Sequence, residues 1–455
     1  MLDAAGRVLA SRHGADWMLP VVDVQRGMRV APQIVSALAD TYAIDAFCLT
    51  DIDGADRASG NGDRAAGPAP GSVVSRTMLA DLCGAASANG RWIDADAIRL
   101  CDGRTLADVA AQYRRAGRET EQPGFWPRLR QWADEVLAND ADGIDASRLT
   151  GRRTQWTAGR GFSLVRLDAT GAAVWFKAVG APNEAECGIT ARLAARHPAH
   201  LPHVLAVHDR WCGWLTEELS GHSLRSTGDP DRWTRAAVDL ARLQMHERGR
   251  AAEWLNAGCV DLRVNTLARQ VDDFIHGIEP IFARQERTSL PRLGATELVA
   301  TADALRRALD TAAILPDTLV HADLNPDNIF FRGPFRSPFR GGSAVFLDWA
   351  GTSVGFPFAA LENLQGHLRR VQPSPQTTAR AVSDAYADAW TDAYGANVVA
   401  RARAVAPLLR YASLAMRSAG WLRHTATPSI REPLLRSLTR SMWQIVVAPT
   451  PAPGQ

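Results

Sequence analysis

Apolar and polar positions follow three different patterns along the chain. Up to about residue 145, short β-like runs (Arg7-Val8-Leu9-Ala10-Ser11 and Trp17-Met18-Leu19-Pro20-Val21-Val22) precede a helical stretch near residues 33–42. A polar, glycine-rich loop fills 52–71. Helical periodicity then returns at 74–88, 106–115 and 126–137, and Asn139-Asp140-Ala141-Asp142-Gly143 reads as a linker. Residues 150–222 are β-rich: a glycine-bearing hairpin at 155–167, a third strand at 173–179, a helix near 183–196, and strands at 204–208 and 213–218. From 223 onward the pattern is mostly helical, at 232–246, 267–278, 296–313 and 373–448. A β-like island at 319–348 and a proline- and glycine-punctuated, arginine-bearing loop at 332–342 interrupt it. The expected organisation is therefore an α/β domain over 1–145, a β-rich lobe over 150–222 and a helical lobe over 223–455.

Composition narrows this picture. Of 455 residues, 46% are hydrophobic and 22% charged, which suits folded domains rather than a disordered chain. Fifty-one basic against forty-nine acidic residues leave a formal +2, without the basic surplus a nucleic-acid binder needs. No apolar run approaches the roughly 18 residues of a membrane span, and the N-terminal residues lack a signal-peptide layout. Cysteines at 48, 83, 101, 187, 212 and 259 are scattered too widely for a zinc site or a disulfide framework, so a cytoplasmic setting is expected. Fifty of the basic residues are arginine; Lys177 is the chain's one lysine. A position that keeps lysine in such a background needs a compact ammonium, which a planar guanidinium does not imitate.

The island carries the chemistry. Val320-His321-Ala322-Asp323-Leu324-Asn325-Pro326-Asp327-Asn328-Ile329 delivers one carboxylate, Asp323, onto a tight turn and an amide, Asn328, five residues later. Val345-Phe346-Leu347-Asp348-Trp349 ends an apolar strand on a second carboxylate. Magnesium takes hard oxygen ligands and shares them with substrate phosphates, which suits Asn328 and Asp348. Asp323 is then left to accept the proton of an attacking hydroxyl.

These motifs resemble the aminoglycoside phosphotransferase family, which includes choline-kinase-like enzymes and has a protein-kinase-like fold. The match lies in His-x-Asp with an asparagine five residues on, the Asn-Pro-Asp-Asn filling and the Leu-Asp-Trp strand. The resemblance covers about 150–450 and implies an α+β, bilobal architecture, a small β-rich lobe and a large helical one, behind a separate N-terminal domain. It implies that Lys177, on the third strand, grips α- and β-phosphates, with Glu186 on the next helix as its partner and Glu184 as the competing candidate. It implies that Gly159 and Gly161 let backbone amides approach phosphate. It also implies that backbone groups at Glu218 and Leu219 form the hinge facing the nucleobase. His321 reads as a brace for the loop. Where family members often have Gly-Asp-Pro, this chain has Gly355-Phe356-Pro357, which puts local bracing of that loop in question.

The expected activity is magnesium-dependent transfer of the γ-phosphoryl of ATP, or GTP, to a hydroxyl of a small molecule, with no nucleic-acid or membrane partner. A noncatalytic, nucleotide-binding regulatory protein is the alternative. A protein kinase is disfavoured by the absence of Asp-Phe-Gly and Ala-Pro-Glu. Asp384, Asp388 and Asp392 could face a cationic acceptor, but they read first as a solvated helix face. The first segment weakly resembles a Nudix hydrolase opening, yet 36–44 keeps a single carboxylate, Asp40. One carboxylate cannot gather that metal cluster, so either a degenerate, noncatalytic relative or an unrelated α/β domain is expected.

Overall fold

A computed structural model of the chain describes residues 7–13, 16–25, 28–51, 78–83, 91–98, 105–139, 149–170, 172–227, 229–286, 289–332, 342–372, 375–422 and 432–448. They belong to two compact units: Met1–Ala191 with Pro202–Glu218, and Arg192–Leu201 with Leu219–Gln455. The loop at 52–71, most of the expected linker, and 333–341 of the arginine-bearing loop lie outside the described residues.

In the first unit, β1 (Arg7–His13) pairs antiparallel with β2 (Asp16–Met18); α1 (Val30–Tyr42) follows, then β3 (Ala46–Asp51) and β4 (Met78–Leu82), which pair with each other. β5 (Arg91–Asp94) joins the free side of β1. Residues 78–82, expected to be helical, are thus a strand. Asp81, which looks like the wet face of a helix, is buried; its carboxylate accepts from the Gly124 and Trp126 N–H groups at 2.7 and 3.0 Å. It thereby caps a later helix from a distance.

α2 (Leu106–Ala116) starts at a reciprocal cap in which Thr105 and Asp108 each satisfy the other's backbone N–H, at 3.1 and 3.2 Å. α3 (Phe125–Asn139) buries Phe125, Leu129, Ala133 and Leu137, four positions at helical spacing on one face. A five-stranded antiparallel sheet follows, built from β6 (Leu149–Thr157), β7 (Phe162–Ala169), β8 (Val174–Val179), β9 (Val204–His208) and β10 (Gly213–Glu217), in the order β6-β7-β8-β10-β9. α4 (Ala185–Arg196) comes between β8 and β9 in the chain.

Alternation puts Val165, Leu167, Val174, Phe176, Ala178 and Leu215 on the buried sheet face. They pack in one apolar core with Phe47, Phe125, Trp126 and Leu129, so the core runs without a break from the first segment into the sheet. Each large side chain buried there contributes about 1.5–3 kcal/mol. Polar ties cross the same ground. The Gln155 amide on β6 bonds the N–H and C=O of Cys48 on β3 at 2.8 and 2.7 Å, standing in for a strand's backbone, and Arg153 makes a two-pronged pair with Asp45.

The second unit has two three-stranded sheets among helices. β11 (Gly221–Ser223), α5 (Leu224–Thr227), α6 (Pro230–Glu247), α7 (Ala251–Asn256), β12 (Val260–Leu262), α8 (Val264–Ala283) and α9 (Ala295–Ala312) lead to β13 (Thr318–Val320). β14 (Ile329–Arg332), β15 (Ala344–Phe346), β16 (Ser353–Gly355), α10 (Phe358–Val371), α11 (Pro375–Tyr394), α12 (Ala396–Leu422) and α13 (Glu432–Val447) complete it. The sheets run β11-β14-β15 and β12-β16-β13. α6 anchors both. Buried Asp239 accepts from the Ala344 N–H at 3.0 Å, and the Gln244 amide donates to the Leu319 carbonyl at 2.8 Å. At the end of α6, the buried Glu247 carboxylate accepts from Trp254 Nε1 at 2.8 Å and Arg196 Nη1 at 3.2 Å, and lies 2.7 Å from His197 Nε2. Burial alone would raise its pKa; the bonds from His197 and Trp254 outweigh that and hold it down to about 2.

Candidate active site

The first unit supplies a cation. Lys177 is the fourth residue of β8, opposite Leu164 on β7 and Trp214 on β10. Its ammonium lies 2.6 Å from Glu186 Oε1, in the first turn of α4, and within 6 Å of the Phe162 and Trp214 ring centres. The Lys177 side chain is 15% exposed and that of Glu186 1%. Glu184, the competing candidate, sits exposed ahead of the helix. In an apolar, aromatic frame, the ammonium is met by a carboxylate fixed beside it.

The β6–β7 connection carries Gly159 at φ 137°, a backbone that L side chains rarely adopt, with open space where its Cβ would stand. The Gly161 carbonyl accepts from the Gly180 N–H at 2.8 Å. One residue that sequence reasoning missed organises this turn. Arg118, just before α3's approach, donates to the carbonyls of Arg160 (3.2 Å), Val179 and Trp211 (3.1 Å). No local motif marks it, because its partners lie 42 to 93 positions away. The Glu218 N–H goes to the Ala173 carbonyl at 3.0 Å, and its carboxylate is taken by Arg166 and Trp175. A hinge role for Glu218 therefore narrows to its carbonyl, and Leu219 opens the second unit.

The second unit supplies the oxygens. β13 delivers His321, whose Nδ1 accepts from the Asp323 N–H at 3.1 Å. The proton must then be on Nε2, which donates to the Leu347 carbonyl at 2.9 Å. His321 thus clamps the turn bearing Asp323 to the segment bearing Asp348. A single 3-10 turn, Pro326–Asn328, follows; Asn325 caps it, accepting from the Asp327 N–H at 3.2 Å, and Arg225 holds both Asn325 and Asp327. Asn328 Nδ2 donates to the Asp323 carbonyl at 3.2 Å, and the Asn328 carbonyl receives the Leu347 N–H at 2.8 Å. Asp323, Asn328 and Asp348 are so brought onto neighbouring turns at the ends of β13, β14 and β15. Asp348 sits at φ 60°, a left-handed conformation that aspartate tolerates better than most residues.

A second residue escaped the sequence reading. His367 Nε2, on α10, lies 3.5 Å from Asp323 Oδ1. That contact is the largest influence holding the Asp323 carboxyl below its ordinary pKa, against the opposing effect of burial. The Gly355-Phe356-Pro357 segment is held by packing and by a helix beyond it. Tyr386 on α11 bonds both Gln244 and the Pro357 carbonyl, while Phe356 is buried.

Compared with known proteins, no family model and no curated sequence matches the chain. Solved structures do. A choline/ethanolamine kinase family protein from Mesorhizobium loti aligns at 15% identity over 70% of this chain and 95% of that one, TM-score 0.42. Plasmodium vivax ethanolamine kinase aligns at 12%, over 76% and 98%, TM-score 0.46. Macrolide 2'-phosphotransferase MphH from Brachybacterium faecium aligns at 16%, over 71% and 99%, TM-score 0.39. These neighbours belong to the group that the sequence motifs resemble.

As for a metal, the donors present fit magnesium: a carboxylate and an amide oxygen, the amide's N–H being committed to Asp323's carbonyl. Asp384, Asp388 and Asp392 do form a solvated face. Asp384 pairs with Arg403 at 2.6 Å, and the other two are exposed.

Proposed function

We propose that the chain is a magnesium-dependent phosphotransferase that moves the γ-phosphoryl of ATP, or GTP, to a hydroxyl of a small molecule in the cytoplasm, where nucleotide and metal are both supplied. The observation that carries this reading is the pairing of the chain's one lysine with Glu186, on a strand and helix of the kinase type. The His321-clamped loop bearing Asp323 supports it. Lys177 neutralises α- and β-phosphate oxygens, and Glu186 keeps its ammonium charged and aimed. Asn328 and Asp348 would hold magnesium, which when bound would offset phosphate charge. Asp323 accepts the acceptor's proton as that oxygen bonds to phosphorus and the bond to the ADP oxygen breaks. Backbone amides at Gly159 and Gly161 lie along the phosphates, and the Glu218 carbonyl with Leu219 meets the base.

The test is ADP release from magnesium-ATP over a panel of hydroxyl compounds. Acceptor-dependent release supports the reading. Nucleotide binding with no transfer to any acceptor would favour the noncatalytic, regulatory alternative. For the first segment, the Nudix resemblance is kept as a degenerate relation: Asp40 on α1 is exposed and paired with Ser36 at 3.3 Å.

A further inference from the structure

At the C-terminal end of α6, two imidazoles and a carboxylate meet that the proposed phosphotransfer does not use. His246 and Glu247 are the last two residues of α6, and His197 directly follows the last residue of α4. All three belong to the second unit. His197 Nε2 stands 2.7 Å, and His246 Nδ1 3.4 Å, from the same oxygen, Glu247 Oε1. One donor atom from each residue lies within 4.8 Å of the others, and the two rings meet edge to face.

The other carboxylate oxygen, Oε2, is held from behind, by Trp254 Nε1 at 2.8 Å and Arg196 Nη1 at 3.2 Å. Glu247 thus keeps its back to the fold and turns one oxygen to the imidazoles, which is how outer hydrogen bonds aim a metal-bound carboxylate. The side chains of Glu247 and His197 are 0% and 7% exposed and that of His246 is 59% exposed, so an ion has an entry path on the His246 side. Charge sets the strength. Arg196 and Arg250 both approach Glu247, and both also pair with Glu253. Two cations against two carboxylates leave the surroundings near neutral, so attraction for a dication is moderate and comes chiefly from the nitrogen donors. Two imidazoles and one carboxylate suit zinc, whereas magnesium prefers oxygen donors throughout.

We propose that His197, His246 and Glu247 form a zinc site, with water in the fourth position. Zinc at about 2.0–2.2 Å from each donor needs the donors roughly 3.4 Å apart, a spacing that the present distances bracket. His197 and Glu247 part slightly as zinc takes the place of the hydrogen between them, and the exposed His246 ring closes in. The ion then fastens the end of α4 to the end of α6. The inference stands apart from the phosphotransfer reading and needs no step of it.

The full-length protein, stripped of metal with a chelator and kept free of nucleotide, is titrated calorimetrically with zinc chloride. One zinc binds per chain in the micromolar range. His246→Gln, a change at an exposed position that leaves the fold intact, weakens binding at least tenfold, and His276→Gln, exposed on α8, leaves it unchanged. Cobalt(II) in place of zinc gives the strong visible absorption of a four-coordinate ion, which His246→Gln removes. Zinc also raises the thermal midpoint of the unaltered protein and not that of His246→Gln. No zinc binding, binding indifferent to His246→Gln, or a weak six-coordinate cobalt spectrum overturns the inference and leaves the trio as a hydrogen-bonded end to α6. None of these results bears on ADP release from magnesium-ATP.

Discussion

The two charged centres are built on opposite plans. In the first unit, the ammonium of Lys177 is met inside the fold by a carboxylate that is 1% exposed, among aromatic rings. In the second, Asp323 keeps a side chain that is 52% exposed; His367 stands 3.5 Å from it, and backbone bonds to His321 and Asn328 fix the turn that bears it. The difference follows from the ligands each would meet. A cation in an apolar frame loses its charge unless an anion holds it, so the pair is complete before any phosphate arrives. Oxygens proposed to meet a metal and a proton would stay partly hydrated until substrate comes, with only their aim set in advance.

The sharpest way to break this contrast is at Asp323. Asp323→Asn lowers kcat by roughly a thousandfold while leaving nucleotide affinity, measured by equilibrium binding, within about twofold. Undiminished turnover would remove Asp323 from the chemistry. Lys177→Met acts on stability as well as activity. It takes away the cation facing a buried carboxylate and costs about 3 kcal/mol in denaturant unfolding. Lys177→Met with Glu186→Gln recovers most of that loss but no activity. If the double variant is no more stable than the single one, the pair is not the self-contained unit described.

Glu247 serves as a comparison acid, settled inside the second unit as Glu186 is in the first. Its pKa is depressed from 4.5 to about 2, so its stabilisation is complete above about pH 4.5 and is lost as pH falls toward 2. That contribution is on the order of 3 kcal/mol, read by acid-limb melting, and Glu247→Gln flattens the limb without altering turnover at neutral pH. The smallest effect is at Arg118. Arg118→Gln loosens the glycine turn and raises the KM for ATP about fivefold with kcat little changed, and Arg118→Lys restores only part of it.

How much of this was legible in the sequence depends on distance along the chain. The His321–Asn328 segment forms its turn from its own letters, since Asn325 and Pro326 cap and start it locally. Lys177 stood out because arginine had replaced lysine everywhere else. Glu186 was separable from Glu184 by helical phase, because Ile189 and Leu193 turn the same face inward. β4 was misread because a buried aspartate satisfying a distant helix looks, in one dimension, like a solvent-facing position. Arg118 and His367 carried no signal at all. Each acts on a partner that only the folded chain brings near, and the arginine was hidden among fifty of its kind.

The unbroken core beneath the five-stranded sheet has a consequence for anyone editing the gene. A fragment beginning near codon 150 would encode Val165, Leu167, Val174, Phe176 and Leu215 with nothing to cover them, and Gln155 with no strand to bond. Such a product is expected to be sticky and insoluble rather than a trimmed, working catalyst. The leading third is therefore the lid on the sheet's greasy side, and shortening the protein has to start elsewhere.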